Sequence, residues 1–335
     1  MSILTNIREW VFTSNFNDDY ELIKAEYSLR LVKEKVPTLV IFCLDGRTST
    51  VGLADRLKGM ISCYAYAKAI NVPYRIEHIV PFDLADFWVP NNYDWRLKTG
   101  EKSYNLLYAN PVSLLLFRYP RIFGQIPIIR RRKYQYFTSM RLFRINKKRQ
   151  HHLYSNNLSY IGEINKRYHK NYTFGELFQE LFKPSSLLEK KINEQGIKKG
   201  EYISVSFRFM QLLGDFKDVW GDILSVEDRI DLINRSVSIV QSLYQREQKS
   251  ILVTSDSHVF IDAVSTLNYV YIIPGKIGHI GWSGGNEIYE KTFLDFYMIS
   301  QASHVYMAHS GKMWKSAFAK TAAMTTNTPY DEISY

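Results

Sequence analysis

An α/β fold in two domains, each with its own parallel sheet, is predicted by three features of this sequence. The length of 335 residues exceeds what one core usually supports, which sets two domains as the expectation. The last third alternates apolar runs of strand length with helical patterns, the signature of a parallel α/β sheet. Near the start, a strand, a polar loop, a helix and a second strand follow one another in the order of a parallel crossover unit.

Val36-Pro-Thr-Leu-Val-Ile-Phe-Cys-Leu44 is continuously apolar, as a strand covered on both faces must be. The loop Asp45–Gly52 follows it, and from Leu53 to Ile70 apolar and small residues recur at helical spacing. Asn71-Val-Pro73 ends that helix, because proline disfavours a helical residue before it. Tyr74–Ile79 returns as a strand. Residues 81 to 115 read as a short helix and aromatic loops, which either recognise a ligand or pack.

A domain boundary is expected near residues 165 to 175, giving domains 1–170 and 171–335. Leu177 to Gly196 is helical with an interruption at Lys183-Pro-Ser-Ser186. Strands are then predicted at 201–209, 250–255, 270–273 and 304–308, and helices at 226–246, 257–266, 287–301 and 312–323. Three of these strands end in small polar signatures: Ser206-Phe-Arg208, Ser255-Asp256 and His309-Ser310-Gly311. As neighbouring parallel strands they would deliver those residues to the carboxyl edge, where such sheets bind ligands. One cation, one carboxylate and several hydroxyl or glycine positions suit a nucleotide diphosphate. Bland readings stand beside this one: Asp215 as an internal partner for Arg208, and helix capping for Ser255 and Asp256. In the first half, Gly52-Leu-Ala-Asp55-Arg56 opens a helix, where free amides and the Arg56 fork suit an anion, although a tight turn with a surface arginine fits equally. Asp55 is either a helix-start carboxylate or a proton acceptor.

The net charge is +10, and the segment from Ser103 to Gly162 holds eleven Lys or Arg residues without one Asp or Glu, so it carries the whole excess. Its core, residues 118–149, interleaves Arg130-Arg-Arg-Lys133 and Lys147-Lys-Arg149 with aromatic side chains. That composition suits an anionic membrane surface or an anionic acceptor; a solvated face and a nucleic-acid contact are the other readings. Cys43 and Cys63 both sit in apolar settings, which reads as two reduced thiols and a cytoplasmic compartment. The start lacks the marks of a signal peptide, and no apolar run reaches spanning length.

Several chemistries find no support in the residues. There is no Gly-x-x-x-x-Gly-Lys-Ser/Thr phosphate loop, no Gly-x-Gly-x-x-Gly after the first strand, no zinc-protease histidine spacing, no Gly-x-Ser-x-Gly elbow and no Asp-x-Asp metal pair. The run Gly275–Gly285 is glycine-rich with the spacing of a mobile loop.

Taken together, these residues resemble the fucosyltransferase superfamily of two-domain GT-B enzymes, which includes bacterial nodulation and α-1,2-fucosyltransferases. Gly52-Leu-Ala-Asp-Arg-Leu-Lys-Gly59 looks like the family's N-terminal glycine and Asn/Asp-Arg signature. Ser204-Val-Ser-Phe-Arg208 is similar to the strand ending in its His-x-Arg-Arg motif, with Ser206 and Phe209 where the motif has His and a second Arg. Ser255 and Asp256 match a motif that contacts the nucleoside, and Ser310-Gly311 one that contacts phosphate. The resemblance implies two Rossmann-like domains facing across a cleft. It also implies an inverting enzyme, needing no metal, that moves fucose from GDP-fucose to a hydroxyl of a surface glycan, a polysaccharide or lipid-linked precursor. Arg208 and Asp55 would be catalytic, and Gly52, Arg56, Arg208, Ser255, Asp256, His309, Ser310 and Gly311 would bind the donor. Another nucleotide sugar, or a non-catalytic glycan- or nucleic-acid-binding role, are the alternatives.

Overall fold

The computed structural model describes residues 25–47, 51–113, 149–154, 159–216, 222–281 and 284–335. The chain divides into two compact units, one of residues 1–83 and 90–181, the other of residues 84–89 and 182–335. The division at Leu181 and Phe182 lies past the expected 170/171. The intervening helix α3 (Phe174–Leu181) packs on the long helix of the first unit, and Leu177 and Leu181 are buried there.

The first unit is a four-stranded, wholly parallel sheet in the order β2-β1-β5-β4. Strand β1 (Val40–Leu44) is buried at every position, which is why its sequence is continuously apolar. Helix α1 (Leu53–Ala69) covers one face, and its chain leaves through Asn71 at φ 55°, a left-handed position that asparagine tolerates. Strand β2 (Tyr74–His78) alternates, with Tyr74, Ile76 and His78 inward, while Arg75 pairs with Glu101 at 2.9 Å and Glu77 with Lys102. Strands β4 (Ala109–Ser113) and β5 (Gln150–Tyr154) and helix α2 (Ile161–Tyr168) complete the unit. The expected basic segment 118–149 lies outside the described residues apart from Arg149.

The second unit begins with a 3-10 turn at Leu84–Asp86 and strand β3 (Trp88–Pro90), which forms a ribbon with β6 (Phe182–Pro184). Ser185 then caps α4 (Ser186–Glu194), its hydroxyl accepting from the Leu188 N–H at 3.2 Å. The Lys183–Ser186 interruption therefore separates two helices. A five-stranded parallel sheet follows in the order β11-β10-β7-β8-β9, from β7 (Tyr202–Phe207), β8 (Ser250–Ser255), β9 (Val270–Tyr271), β10 (Val305–His309) and β11 (Tyr330–Ser334). Helices α5 (Val226–Glu247) and α6 (His258–Ser265) bury Leu232, Val240, Leu243, Phe260 and Val264 against Ile203, Val205 and Phe207. Helices α7 (Asn286–Ser300) and α8 (Phe318–Thr326) belong to the same unit and pack on each other.

Three features bear on the sequence expectation. The helix predicted from residue 312 starts at Phe318, because Gly311 takes φ +50° and the chain turns there first. In the run from Gly275, the described residue Gly278 packs on α7, so close that an added Cβ would fall 2.7 Å from Ile288 Cδ1. The aromatic residues between 81 and 95 pack inside their units, with Phe82, Phe87, Trp88 and Trp95 all buried. Both cysteines are free and buried, in line with two reduced thiols. Among the described residues no helix is long and apolar enough to cross a membrane.

Phe293 of α7 is the hub of the second unit's aromatic cluster. It is wholly buried, stacks on Phe87 at 4.3 Å and meets Trp88 edge-on at 4.7 Å. Phe293→Ala is expected to cost about 3–5 kcal/mol of unfolding free energy, read from urea denaturation followed by tryptophan fluorescence.

Candidate functional site

Strand β7 delivers Arg208 one residue past its end. Register pairs Phe207 with Ser255 of β8 on one side and with Ala308 of β10 on the other, so the three polar signatures do emerge side by side. Arg208, Ser255, Asp256, His309, Ser310 and Gly311 therefore share the carboxyl edge of the second sheet. Gly52, Asp55 and Arg56 form their own group on the first unit, at the start of α1.

Asp256 sets the geometry of the second unit's group. Its Oδ1 accepts the Phe209 N–H at 2.8 Å, its Oδ2 accepts the Met210 N–H at 2.8 Å, and Arg208 Nε lies 3.2 Å from Oδ2. Met210 has φ 57°, so two successive amides turn toward one carboxylate in the manner of an anion-holding nest. Burial pushes the Asp256 carboxyl above its ordinary value, while Arg208 and the two amides pull it back. Both Asp256 oxygens are thus engaged within the protein, so the carboxylate shapes the turn and orients Arg208. Asp215 is not the partner of Arg208. Its Oδ2 accepts from Ser257 Oγ at 2.8 Å and from the Val259 N–H at 3.0 Å, fastening the start of α6.

Arg208 keeps part of its side chain in solvent and lies over the Phe216 ring at 4.8 Å. Its backbone carbonyl accepts the Trp314 N–H at 3.1 Å, and the Met313 N–H returns to Ser310 O at 2.9 Å, so the turn after β10 folds against the end of β7. Gly311 lies in that turn with nothing within 4 Å of the place a Cβ would occupy, so only its φ of +50° favours glycine. Ser310 and Gly311 open this turn rather than a helix, a correction to the expected helix-start site. Ser310 is buried, and its Oγ accepts from Arg235 Nη1 at 2.9 Å. The Ser255 hydroxyl accepts the Ser257 N–H at 3.1 Å, and the half-buried His309 offers its carbonyl to the Tyr335 N–H at 3.3 Å. Behind them Ser206 and Thr254 share a buried hydroxyl–hydroxyl bond of 2.7 Å. Sequence reasoning misses Arg235, since Asp231 and Arg235 four residues apart read as an ordinary surface pair of a helix.

On the first unit, Gly52 precedes α1 with φ −62°, and its carbonyl receives the N–H groups of Asp55 and Arg56, each at 3.1 Å. Asp55 is a partly exposed first-turn carboxylate, 2.9 Å from Lys58 Nζ. Arg56 is not the surface arginine of the alternative reading. It is fully buried, donates from Nε to Val51 O at 2.7 Å, and sets Nη1 3.1 Å from His78 Nε2. His78 Nδ1 faces Phe82 O at 3.1 Å, so Nδ1 carries the proton and Nε2 accepts from Arg56. Arg56 is thereby a buried strut of α1, and its burial was hidden because the acceptor lies 22 residues along the chain. Among the described residues no three His, Cys, Asp or Glu side chains gather as a metal ligand set.

Burial and the neighbouring Arg56 charge push the His78 pKa down from 6.5 to about 3. Between those values the unfolded chain binds a proton that the folded protein refuses, so stability is full above about pH 6.5 and is lost as pH falls. The loss approaches about 1.4 kcal/mol per pH unit. His78→Gln keeps an acceptor for Arg56 and should remove this one-proton share of the slope, measured by urea unfolding from about pH 6 down to about pH 4.

No protein-family model matches the chain, and no curated protein matches it. Among solved structures it is similar to Arabidopsis thaliana FUT1, a fucosyltransferase, determined as a mutant in complex with GDP. The TM-score is 0.53 at 12% sequence identity, over 98% of this chain and 78% of that chain. With two α/β units, each built on a wholly parallel sheet, the chain has a fucosyltransferase-like GT-B fold.

Proposed function

We propose that the protein is a glycosyltransferase that takes its sugar from GDP-fucose and inverts the anomeric centre without a metal ion. The observation that carries the reading is the convergence of Arg208, Ser255 and the Ser310-Gly311 turn on three adjacent strand ends of a parallel sheet. Such an edge is where open α/β sheets bind ligands, and a guanidinium beside hydroxyls and a glycine turn suits a diphosphate. The fold likeness to a fucosyltransferase held with GDP supports the choice of nucleotide.

In the proposed reaction a glycan hydroxyl oxygen bonds to the anomeric carbon as the bond from that carbon to the diphosphate oxygen breaks. The charge that develops on the leaving GDP is met by Arg208, already held in place by Asp256. The hydroxyl proton passes to Asp55, a carboxylate that keeps access to solvent. The acceptor is a glycan of a polysaccharide or lipid-linked precursor, and the basic segment 118–149 supplies attraction to an anionic membrane face. The cytoplasm is the proposed compartment, and nucleic acid is not a proposed partner.

Incubation with a panel of nucleotide sugars should show donor breakdown for GDP-fucose and none for UDP-sugars. Arg208→Ala should lower turnover by about 100- to 1000-fold, the range for losing one donor to a developing oxyanion. Retention of most activity by Arg208→Ala, or turnover of UDP-sugars alone, would overturn the proposal.

A further inference from the structure

We infer that Arg235 is a second diphosphate-binding arginine of the second unit's site, an inference that rests on the nucleotide-sugar reading above. Its side chain leaves α5 and reaches the end of β10, where Nη1 donates to the buried Ser310 Oγ at 2.9 Å. Nε pairs with Asp231 at 2.8 Å, and Cζ lies 5.9 Å from the centre of the Tyr335 ring. The guanidinium is thus positioned from three sides, yet the side chain remains 47% exposed. An arginine has five N–H donors, and only two of these meet protein acceptors among the described residues.

The placement gives those remaining donors a use. Arg208 stands at the end of β7 and Arg235 reaches the end of β10, two neighbouring strands about 4.8 Å apart. The turn from Ser310 to Trp314 joins them. Its first residue is held by the Arg235 side chain, and its last donates to the Arg208 carbonyl at 3.1 Å. A diphosphate carries charge on both phosphoryl groups, and a planar guanidinium can grip one of them with two parallel hydrogen bonds. One arginine per phosphoryl group is the match that two strand ends provide. Asp231, 65% exposed, competes with the ligand for the same guanidinium.

The test is calorimetric titration of the full chain with GDP and, separately, with guanosine, which lacks phosphate. Arg235→Ala should raise the GDP Kd about tenfold or more and leave guanosine affinity unchanged. Arg235→Lys, keeping the charge and losing the fork, should fall between wild type and alanine. Asp231→Asn should tighten GDP by about two- to fivefold by removing the negative charge that competes for the guanidinium, a gain that misfolding cannot produce. Unchanged GDP affinity in Arg235→Ala, equal weakening of GDP and guanosine, or no gain in Asp231→Asn would overturn the role of Arg235 alone. A wild-type chain that binds no GDP would instead overturn the nucleotide reading from which it follows.

Discussion

A buried carboxylate survives in a protein only when donors surround it, and Asp256 has two amides and one guanidinium doing so. The consequences run outward from that requirement. To aim both amides at the carboxylate, Met210 adopts a left-handed conformation that a methionine would otherwise avoid. Arg208 is fixed by the same carboxylate, its carbonyl holds the turn after β10, and that turn begins at the serine hydroxyl that meets Arg235. Three strand ends are thereby locked by polar contacts at the edge as well as by ladder bonds within the sheet.

The first unit solves a related problem differently. Strand β5 reads Gln-His-His-Leu-Tyr and is buried throughout. Gln150 Oε1 accepts from the Ser103 N–H at 2.9 Å and from His152 Nε2 at 3.0 Å, and its amide donates to the carbonyls of Pro37 and Glu101. His152 Nδ1 in turn accepts the Tyr27 hydroxyl proton at 2.5 Å, and burial holds that imidazole neutral. A strand of this composition belongs inside only because partners distant in sequence satisfy it.

That contrast explains what could be read beforehand. Strands β1, β7, β8 and β10 are apolar because both faces are covered, so local composition announces them, whereas the cap of α6 falls on Ser257 and not on Ser255 or Asp256 as the sequence suggested. Strand β5 carries no such announcement, and neither does β11, whose polar, mostly exposed residues pair only along one edge. The same division holds at the site. Strand-end chemistry placed Arg208, Ser255 and Ser310 on one edge, whereas the engagement of Asp256, the burial of Arg56 and the reach of Arg235 depend on contacts between residues 22 to 75 positions apart.

The two cysteines carry a consequence of another kind. Cys43 and Cys63 are the whole thiol content of the chain, both are fully buried, and burial drives each thiol far from its reactive ionised form. In the folded state the native chain is therefore silent toward thiol-directed dyes and spin labels. A single cysteine introduced on the surface becomes the sole point of attachment, with no native residue removed to prepare for it.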